Sequence, residues 1–310
     1  MAIISFNSAA GFSVGDSFTI GREASTGFAW TWGFGTSGQL GDNTVTTKSI
    51  PVTVAGNRSF STVTAGQSIA GGLSGGFAFT WGLGTSGQLG DNTILSKSSP
   101  VAVAGGRTFT KIKAGSVVGR FHAIEATTNL LYSWGLNTNG VLGENTALNR
   151  SSPTAVVGPN SYSDVAAGGN TTYALDFNGI AWAWGLGTSG QLGDNTLISK
   201  SSPVQVVGRT FSKIAAGTNH AMGIEASTGH IYCWGLGTSG EIGDGFLSNR
   251  SSPTRAAINR SFIDIAAGNG CSFAIDGENN LWAWGLNTTN QLGDETAVNR
   301  TIPTLIPMKR

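Results

Sequence analysis

Three histidines, His122, His220 and His230, and two cysteines, Cys233 and Cys271, are the side chains of this 310-residue chain best suited to nucleophilic, acid–base or metal chemistry. Two cysteines make neither a disulfide framework nor a four-ligand zinc site. A Ser-His-Asp triad would need a strained nucleophile turn ahead of a helix, and the chain offers no such context. Four closely spaced glycines, Gly185, Gly187, Gly190 and Gly193, could cradle a phosphate, but no Gly-Lys-Ser/Thr and no helix follow them. They are expected to be turn residues with positive φ. Acidic residues recur singly, at Asp42, Asp91, Glu144, Asp194, Asp244 and Asp294. One carboxylate per loop falls short of the six to eight oxygens that calcium takes. A basic residue follows each, at Lys48, Lys97, Arg150, Lys200, Arg250 and Arg300. The expectation is a local ion pair in every loop, Asp194 with Lys200 for example; the alternative is a charged ring that docks a partner. Catalytic, cofactor and metal sites are all read as absent, and the protein as a non-enzyme.

These residues sit in a repeat. Trp-Gly occurs at Trp32, Trp81, Trp134, Trp184, Trp234 and Trp284, and a proline follows each at a constant 19 residues, from Pro51 to Pro303. An Ala-Gly pair precedes each, with its glycine at Gly11, Gly66, Gly115, Gly168, Gly217 and Gly268. The residue two before each Trp is aromatic: Trp30, Phe79, Tyr132, Trp182, Tyr232 and Trp282. Alternation such as Ile180-Ala181-Trp182-Ala183-Trp184 has the period of a strand with one buried face. Three or four short strands per repeat of about 50 residues, six times over, predict an all-β, six-bladed β-propeller filling residues 1–310 as a single domain. The Trp-Gly tryptophans are expected between blades, and the second tryptophans Trp30, Trp182 and Trp282 nearer the surface.

Composition narrows the function. Lys+Arg number 18 against 17 Asp+Glu, and charged residues make up only 11% of the chain. That neutrality argues against nucleic acid and acidic membranes as partners. No apolar run is long enough for a membrane helix, and the first fifteen residues do not read as a secretory signal.

The run Trp-Gly-x-x-x-x-Gly-Gln-Leu-Gly, then Pro-Val, then Phe211-x-x-Ile-Ala-Ala-Gly217-x-x-His220 resembles the repeat of the regulator of chromosome condensation family. The resemblance covers essentially the whole chain. It implies a propeller, although the founding fold has seven blades and this chain has six sets. It also implies a choice of functions, including nucleotide exchange on small GTPases. His220 alone holds the family's His position; its counterparts are aligned as Val14, Ile69, Val118, Thr171 and Cys271. The photoreceptor branch carries Trp and Arg just before that position, and none stands here. The chromatin-bound members carry a basic tail, for which only Lys309-Arg310 stands here, so chromatin binding is not expected.

A second period lies within the first. Odd repeats share a turn, Glu23-Ala-Ser-Thr-Gly27, Glu125-Ala-Thr-Thr-Asn129 and Glu225-Ala-Ser-Thr-Gly229. Even repeats carry Ser74-Gly-Gly76, Asp176-Phe-Asn-Gly179 and Asp276-Gly-Glu-Asn-Asn280 instead. The order is ABABAB, a pseudo-three-fold pattern, explained by duplication of a two-blade unit or by a partner of three-fold or six-fold symmetry. Glu23, Thr26, Glu125, Thr128, Glu225 and Thr228 are therefore the candidate partner contacts. The overall expectation is a non-enzymatic binding or structural scaffold for a protein or surface glycan, placed on a virion or an extracellular surface. The alternative is a guanine-nucleotide exchange factor or other regulator of a small GTPase, in the cytoplasm.

Overall fold

The structure is a computed structural model, and it describes residues 11–117, 119–158 and 161–307. Every repeat becomes four antiparallel strands in meander order. The first comprises Phe12–Val14, Phe18–Arg22, Ala29–Gly33 and Lys48–Thr53. The second comprises Thr62–Ala65, Ile69–Ser74, Phe77–Gly82 and Lys97–Ala102. The third comprises Phe109–Ala114, Arg120–Glu125, Leu131–Gly135 and Arg150–Ala155. The fourth and fifth share one long strand, Lys200–Ala216, which closes the sheet of Tyr162–Ala167, Thr171–Asp176 and Ile180–Gly185 and opens that of His220–Glu225, Ile231–Gly235 and Arg250–Arg255. The sixth comprises Phe262–Ala267, Cys271–Asp276, Leu281–Gly285 and Arg300–Leu305. These are the blades of a six-bladed all-β propeller, and the described residues hold no α-helix, only one short 3-10 turn. By contact density the chain divides into two compact units, residues 1–138 with 146–161, and residues 139–145 with 162–310.

Pairing fixes which residues correspond. The glycine of each Trp-Gly faces the first residue of its repeat's second strand: Phe18, Ile69, Arg120, Thr171, His220 and Cys271. The counterparts of His220 in repeats one and three are thus Phe18 and Arg120, correcting Val14 and Val118; Val118 itself lies outside the described residues. The first marker glycine is likewise Gly15 rather than Gly11. Gly15 N donates to Phe18 O as Gly217 N donates to His220 O. Two extra residues between Gly115 and Arg120 hid the third match.

Within each unit, successive repeats are joined at the Trp-Gly tryptophan. Trp81, Trp134, Trp184, Trp234 and Trp284 are fully buried, while Trp32 is half-buried. The indole Nε1 of Trp81 donates to Gln39 O at 3.0 Å, that of Trp184 to Val141 O at 2.8 Å, and that of Trp284 to Glu241 O at 2.9 Å. Each ring lies over a glycine of the preceding repeat's loop. A Cβ on Gly143, at φ +74°, would come within 2.7 Å of Trp184 Nε1. Phe211, at 5.6 Å, and Tyr173, at 6.0 Å, close around Trp234. The Ala-Gly glycines provide the other close approach. A Cβ on Gly66 would lie 2.5 Å from Gly115 O, and one on Gly168 2.5 Å from Gly217 O. Side-chain-free residues are required there because successive first strands run backbone against backbone.

Two substitutions test this joint. Gly143→Ala combines a left-handed backbone with a clash and should cost about 2–4 kcal/mol. Trp184→Phe keeps most of the apolar area but removes the indole's bond to Val141 O, which keeps its bond from Thr172 Oγ1, so the cost should be about 0.5–1.5 kcal/mol. Urea unfolding of each variant measures both.

Candidate binding surfaces

In an antiparallel meander, alternate connections lie at opposite ends of the sheet. At one end of each repeat lie the turn between first and second strands and the long loop between third and fourth. At the other end lie the turn between second and third strands and the connector to the next repeat. The candidate contacts Glu23, Thr26, Glu125, Thr128, Glu225 and Thr228 all fall at this second, turn end.

The odd turns are built alike. Thr26 Oγ1 donates to Glu23 at 2.6 Å and accepts from Phe28 N; Thr228 Oγ1 donates to Glu225 at 2.5 Å and accepts from His230 N. Thr128 bonds Glu125 in the same way and accepts from Leu130 N. These hydroxyls hold all three carboxyls below the usual glutamate range, and Arg107 and Arg209 add to the effect on Glu125 and Glu225. Arg107 reaches Glu125 at 2.7 Å and stacks over Tyr132; Arg209 reaches Glu225 at 2.6 Å and stacks over Tyr232. The candidate residues therefore have a local task, closing the turn and, at Glu125 and Glu225, tying it to the connector. The tips Ala24-Ser25-Thr26, Ala126-Thr127-Thr128 and Ala226-Ser227-Thr228 stay exposed.

The fourth and sixth turns solve the same problem with aspartate. Asp176 accepts from Asn178 N and Ile180 N, and Asp276 from Glu278 N and Asn280 N. Each also accepts from the indole of its repeat's second tryptophan, Trp182 or Trp282. Arg260 joins Asp276 at 2.7 Å. Trp30, Trp182 and Trp282 are half-buried, as the alternation predicts.

The long loops form the other end. Asp42 meets Lys48 at 3.3 Å, and Asp244 meets Arg250 and Asp294 meets Arg300 at 2.5 Å. Asp194 and Asp91 depart from the expected pairing. Each caps its own turn instead, accepting from the backbone and hydroxyl of Thr196 or Thr93. Among the described residues neither reaches its lysine, because the flexible lysine side chain gains little from an exposed pair. Although burial pushes the Asp294 carboxyl up, Arg300, Thr296 and Asn287 pull it down to about 2. Three of the four loop glycines serve turns, Gly185, Gly190 and Gly193 having φ of 106°, 82° and 65°; Gly187 does not take positive φ and is needed instead for close approach, since a Cβ there would lie 2.4 Å from Ile198 O. Asn43, Asn92, Asn145 and Asn195 adopt the same left-handed backbone and donate from N–H to the next repeat's Ser98, Ser151, Ser201 and Ser251 carbonyls.

The loop tips carry residues that sequence reading passed over. Val45, Ile94, Leu95, Leu148, Leu197, Ile198, Phe246, Leu247 and Val298 are all 58–64% exposed. The signal was present: an apolar residue follows Asp-Asn-Thr in the first, second and fourth repeats.

Four of the five candidate chemical residues are sealed; His230 is half-buried, its Nε2 3.1 Å from an Arg255 guanidinium nitrogen. His220 is buried, bonds Ser272 Oγ at 2.9 Å, and is pushed by burial to a pKa of about 4. His122 is buried between Arg120 Nε and Ser133 Oγ; burial and then the Arg120 charge hold it well below the usual imidazole range. Burial also brings Arg120 down to about 9. Cys233 and Cys271 are buried free thiols, with Cys233 pushed above the usual range. Among the described residues no three His, Cys, Asp or Glu side chains converge as a metal site, and no helix is long and apolar enough to cross a membrane.

A family model of the regulator of chromosome condensation (RCC1) repeat matches residues 26–72, 75–117, 129–175, 178–224, 228–275 and 278–310. The chain belongs to the RCC1 repeat family. A second RCC1 repeat model matches 162–191 and 211–241. No curated protein matches the sequence. Human WBSCR16 is similar in structure, with a TM-score of 0.85 at 19% identity over 99% of this chain and 83% of its own. Yeast RCC1 (Prp20), solved bound to Kap60, gives 0.80 at 19% identity, over 96% and 74%. Prp20p from Saccharomyces cerevisiae, described with its binding to Gsp1p and histones, gives 0.81 at 20%, over 96% and 76%. At these identities the likeness is one of fold.

The buried histidines set a pH dependence. A His whose folded pKa is depressed adds stability that is full above its unfolded value near 6.5 and is lost as pH falls toward the folded value. The melting temperature should therefore fall on acidification from pH 6.5 toward about 4, the folded value of His220. His220→Asn should make that slope shallower, as read by calorimetry across the window.

Proposed function

We propose that this RCC1-repeat propeller is a non-enzymatic binding scaffold for a protein, and that the partner is met at the turn end. The observation that carries the reading is the identical pre-organisation of the odd turns. Their Glu–Thr bonds are made before any partner arrives, so their exposed Ser and Thr tips lose little conformational entropy on binding. Glu23, Thr26, Glu125, Thr128, Glu225 and Thr228 act here by fixing the shape that is recognised. Recurrence at every second repeat suits a partner with three-fold or six-fold symmetry. Weak charge and Ser/Thr/Asn-rich loops support a place on a virion or cell surface, where a glycan is the competing ligand.

The second reading, regulation of a small GTPase, is favoured by the fold shared with Prp20p, whose structure was described with its binding to Gsp1p.

The test grafts the even turn Asp176-Phe177-Asn178-Gly179 into all three odd positions. Capture of the native partner should fall at least about tenfold, a loss of roughly 1.4 kcal/mol, with the melting temperature unchanged. Undiminished capture by the folded variant would overturn the reading. Accelerated release of labelled GDP from small GTPases by the wild-type chain would carry the second.

A further inference from the structure

Four connectors carry an arginine two residues ahead of the next repeat's first phenylalanine: Arg58 before Phe60, Arg107 before Phe109, Arg209 before Phe211 and Arg260 before Phe262. Each guanidinium lies over the aromatic residue two before that repeat's Trp. Arg58 sits 4.0 Å from the Phe79 ring centroid, and the other three sit at 4.3, 4.4 and 5.4 Å from theirs. Three of the four also meet a carboxylate: Arg107 meets Glu125 at 2.7 Å, Arg209 meets Glu225 at 2.6 Å and Arg260 meets Asp276 at 2.7 Å. Those carboxylates share one address, the last residue of their repeat's second strand. In the second repeat that address holds Ser74, the last residue of Ile69–Ser74. Among the described residues no carboxylate reaches Arg58.

We infer that the second repeat's turn takes this missing carboxylate from outside the chain, from an aspartate or glutamate side chain of a protein partner. A guanidinium stacked on a ring keeps its N–H edge available for bidentate bonding to a carboxylate. The ring beneath Arg58 also limits the fork's freedom beforehand, so little side-chain entropy remains to be lost on binding. The turn leaves the place open. Gly75 and Gly76, at φ +58° and +82°, make a two-residue hairpin turn between the paired Ser74 and Phe77. A Cβ on Gly75 would meet nothing within 4 Å. An apolar neighbour points to a protein rather than a free anion: Phe77 is 46% exposed. Phe77 and Phe79 are alternate residues of one strand, so they share a face about 6.5 Å apart. An extended partner segment has the same two-residue spacing, so Glu-x-Leu would set its acid on Arg58 and its leucine on Phe77. Arg58, Ser74, Phe77 and Phe79 all lie in the first compact unit. The site is at the turn end yet uses none of the odd-turn residues, so either binding surface can exist without the other.

NMR titration of the isotope-labelled full chain tests the inference, read at the Arg58 Nε–H and the Phe77 backbone amide. The probe is the peptide Gly-Glu-Gly-Leu-Gly, acetylated and amidated at its ends. Both resonances should shift with a dissociation constant of about 1 mM. The same peptide with Gln for Glu should bind at least about fivefold more weakly. Ser74→Glu supplies the carboxylate from within, so it should abolish peptide binding with the melting temperature equal to or above that of the wild type. Arg58→Lys keeps the charge and loses the fork, and should weaken the peptide about fivefold at the Phe77 amide. Phe77→Ser should weaken the peptide and leave acetate binding unchanged. No shift at about 10 mM peptide, equal binding of the Gln peptide, or undiminished binding by the folded Ser74→Glu and Arg58→Lys chains would overturn the inference. So would acetate or inorganic phosphate binding at Arg58 as tightly as the peptide, the mark of a free-anion site.

Discussion

The seat of the Trp-Gly indole over the preceding repeat's loop glycine is the interaction on which the rest of the structure depends. A four-stranded antiparallel sheet cannot bury both of its faces by itself. Trp81, Trp134, Trp184, Trp234 and Trp284 supply the missing contact by inserting a large apolar ring that also has a donor to place. The donor finds a backbone carbonyl of the loop in three of the five, and the glycine beneath leaves room for the ring. Much of the loop follows from this seat. Its glycines and asparagines take left-handed backbone so that the chain can pass under the indole and then reach the next repeat's outer strand. The conserved look of the loop across six copies is the signature of a joint rather than of a phosphate cradle.

Once the joint is fixed, the two ends of each repeat have different freedom. The turn end is stapled by carboxylates, glutamate in odd repeats and aspartate in the fourth and sixth. Arginines from the connectors lie over the aromatic residue two before the Trp in several repeats, as Arg58 does over Phe79. Hydrogen bonds and ion pairs close that end, although Phe77 and Phe177 stand exposed at the second and fourth repeats' turns. The long-loop end is held at its base, yet its tips expose aliphatic side chains.

The repeat, the strand pattern and the family were all legible in the sequence, because a period of about 50 residues and an alternation of two are properties of the chain itself. The buried tryptophans and three of the four turn glycines followed from residue type and spacing. Register did not. Val14 and Val118 were aligned with His220 by counting from Ala-Gly, and only strand pairing showed that Phe18 and Arg120 hold those places. Ion pairing was half legible: Asp244 with Arg250 forms as the spacing implies, while Asp194 turns to Thr196.

By itself the sequence determined that this is a six-fold repeat of small sheets, since periodicity needs no knowledge of what lies across space. The tertiary structure decided which side chains are spent and which are free. Glu125 and Thr128, two of the candidate contacts, are bonded to each other, and Leu197 and Phe246, on which the sequence raised no expectation, stand in solvent. The physical reason is that hydrogen bonding and burial are properties of pairs brought together by folding. A residue's type states what it could bond, and only its neighbours in space determine whether that capacity is already used.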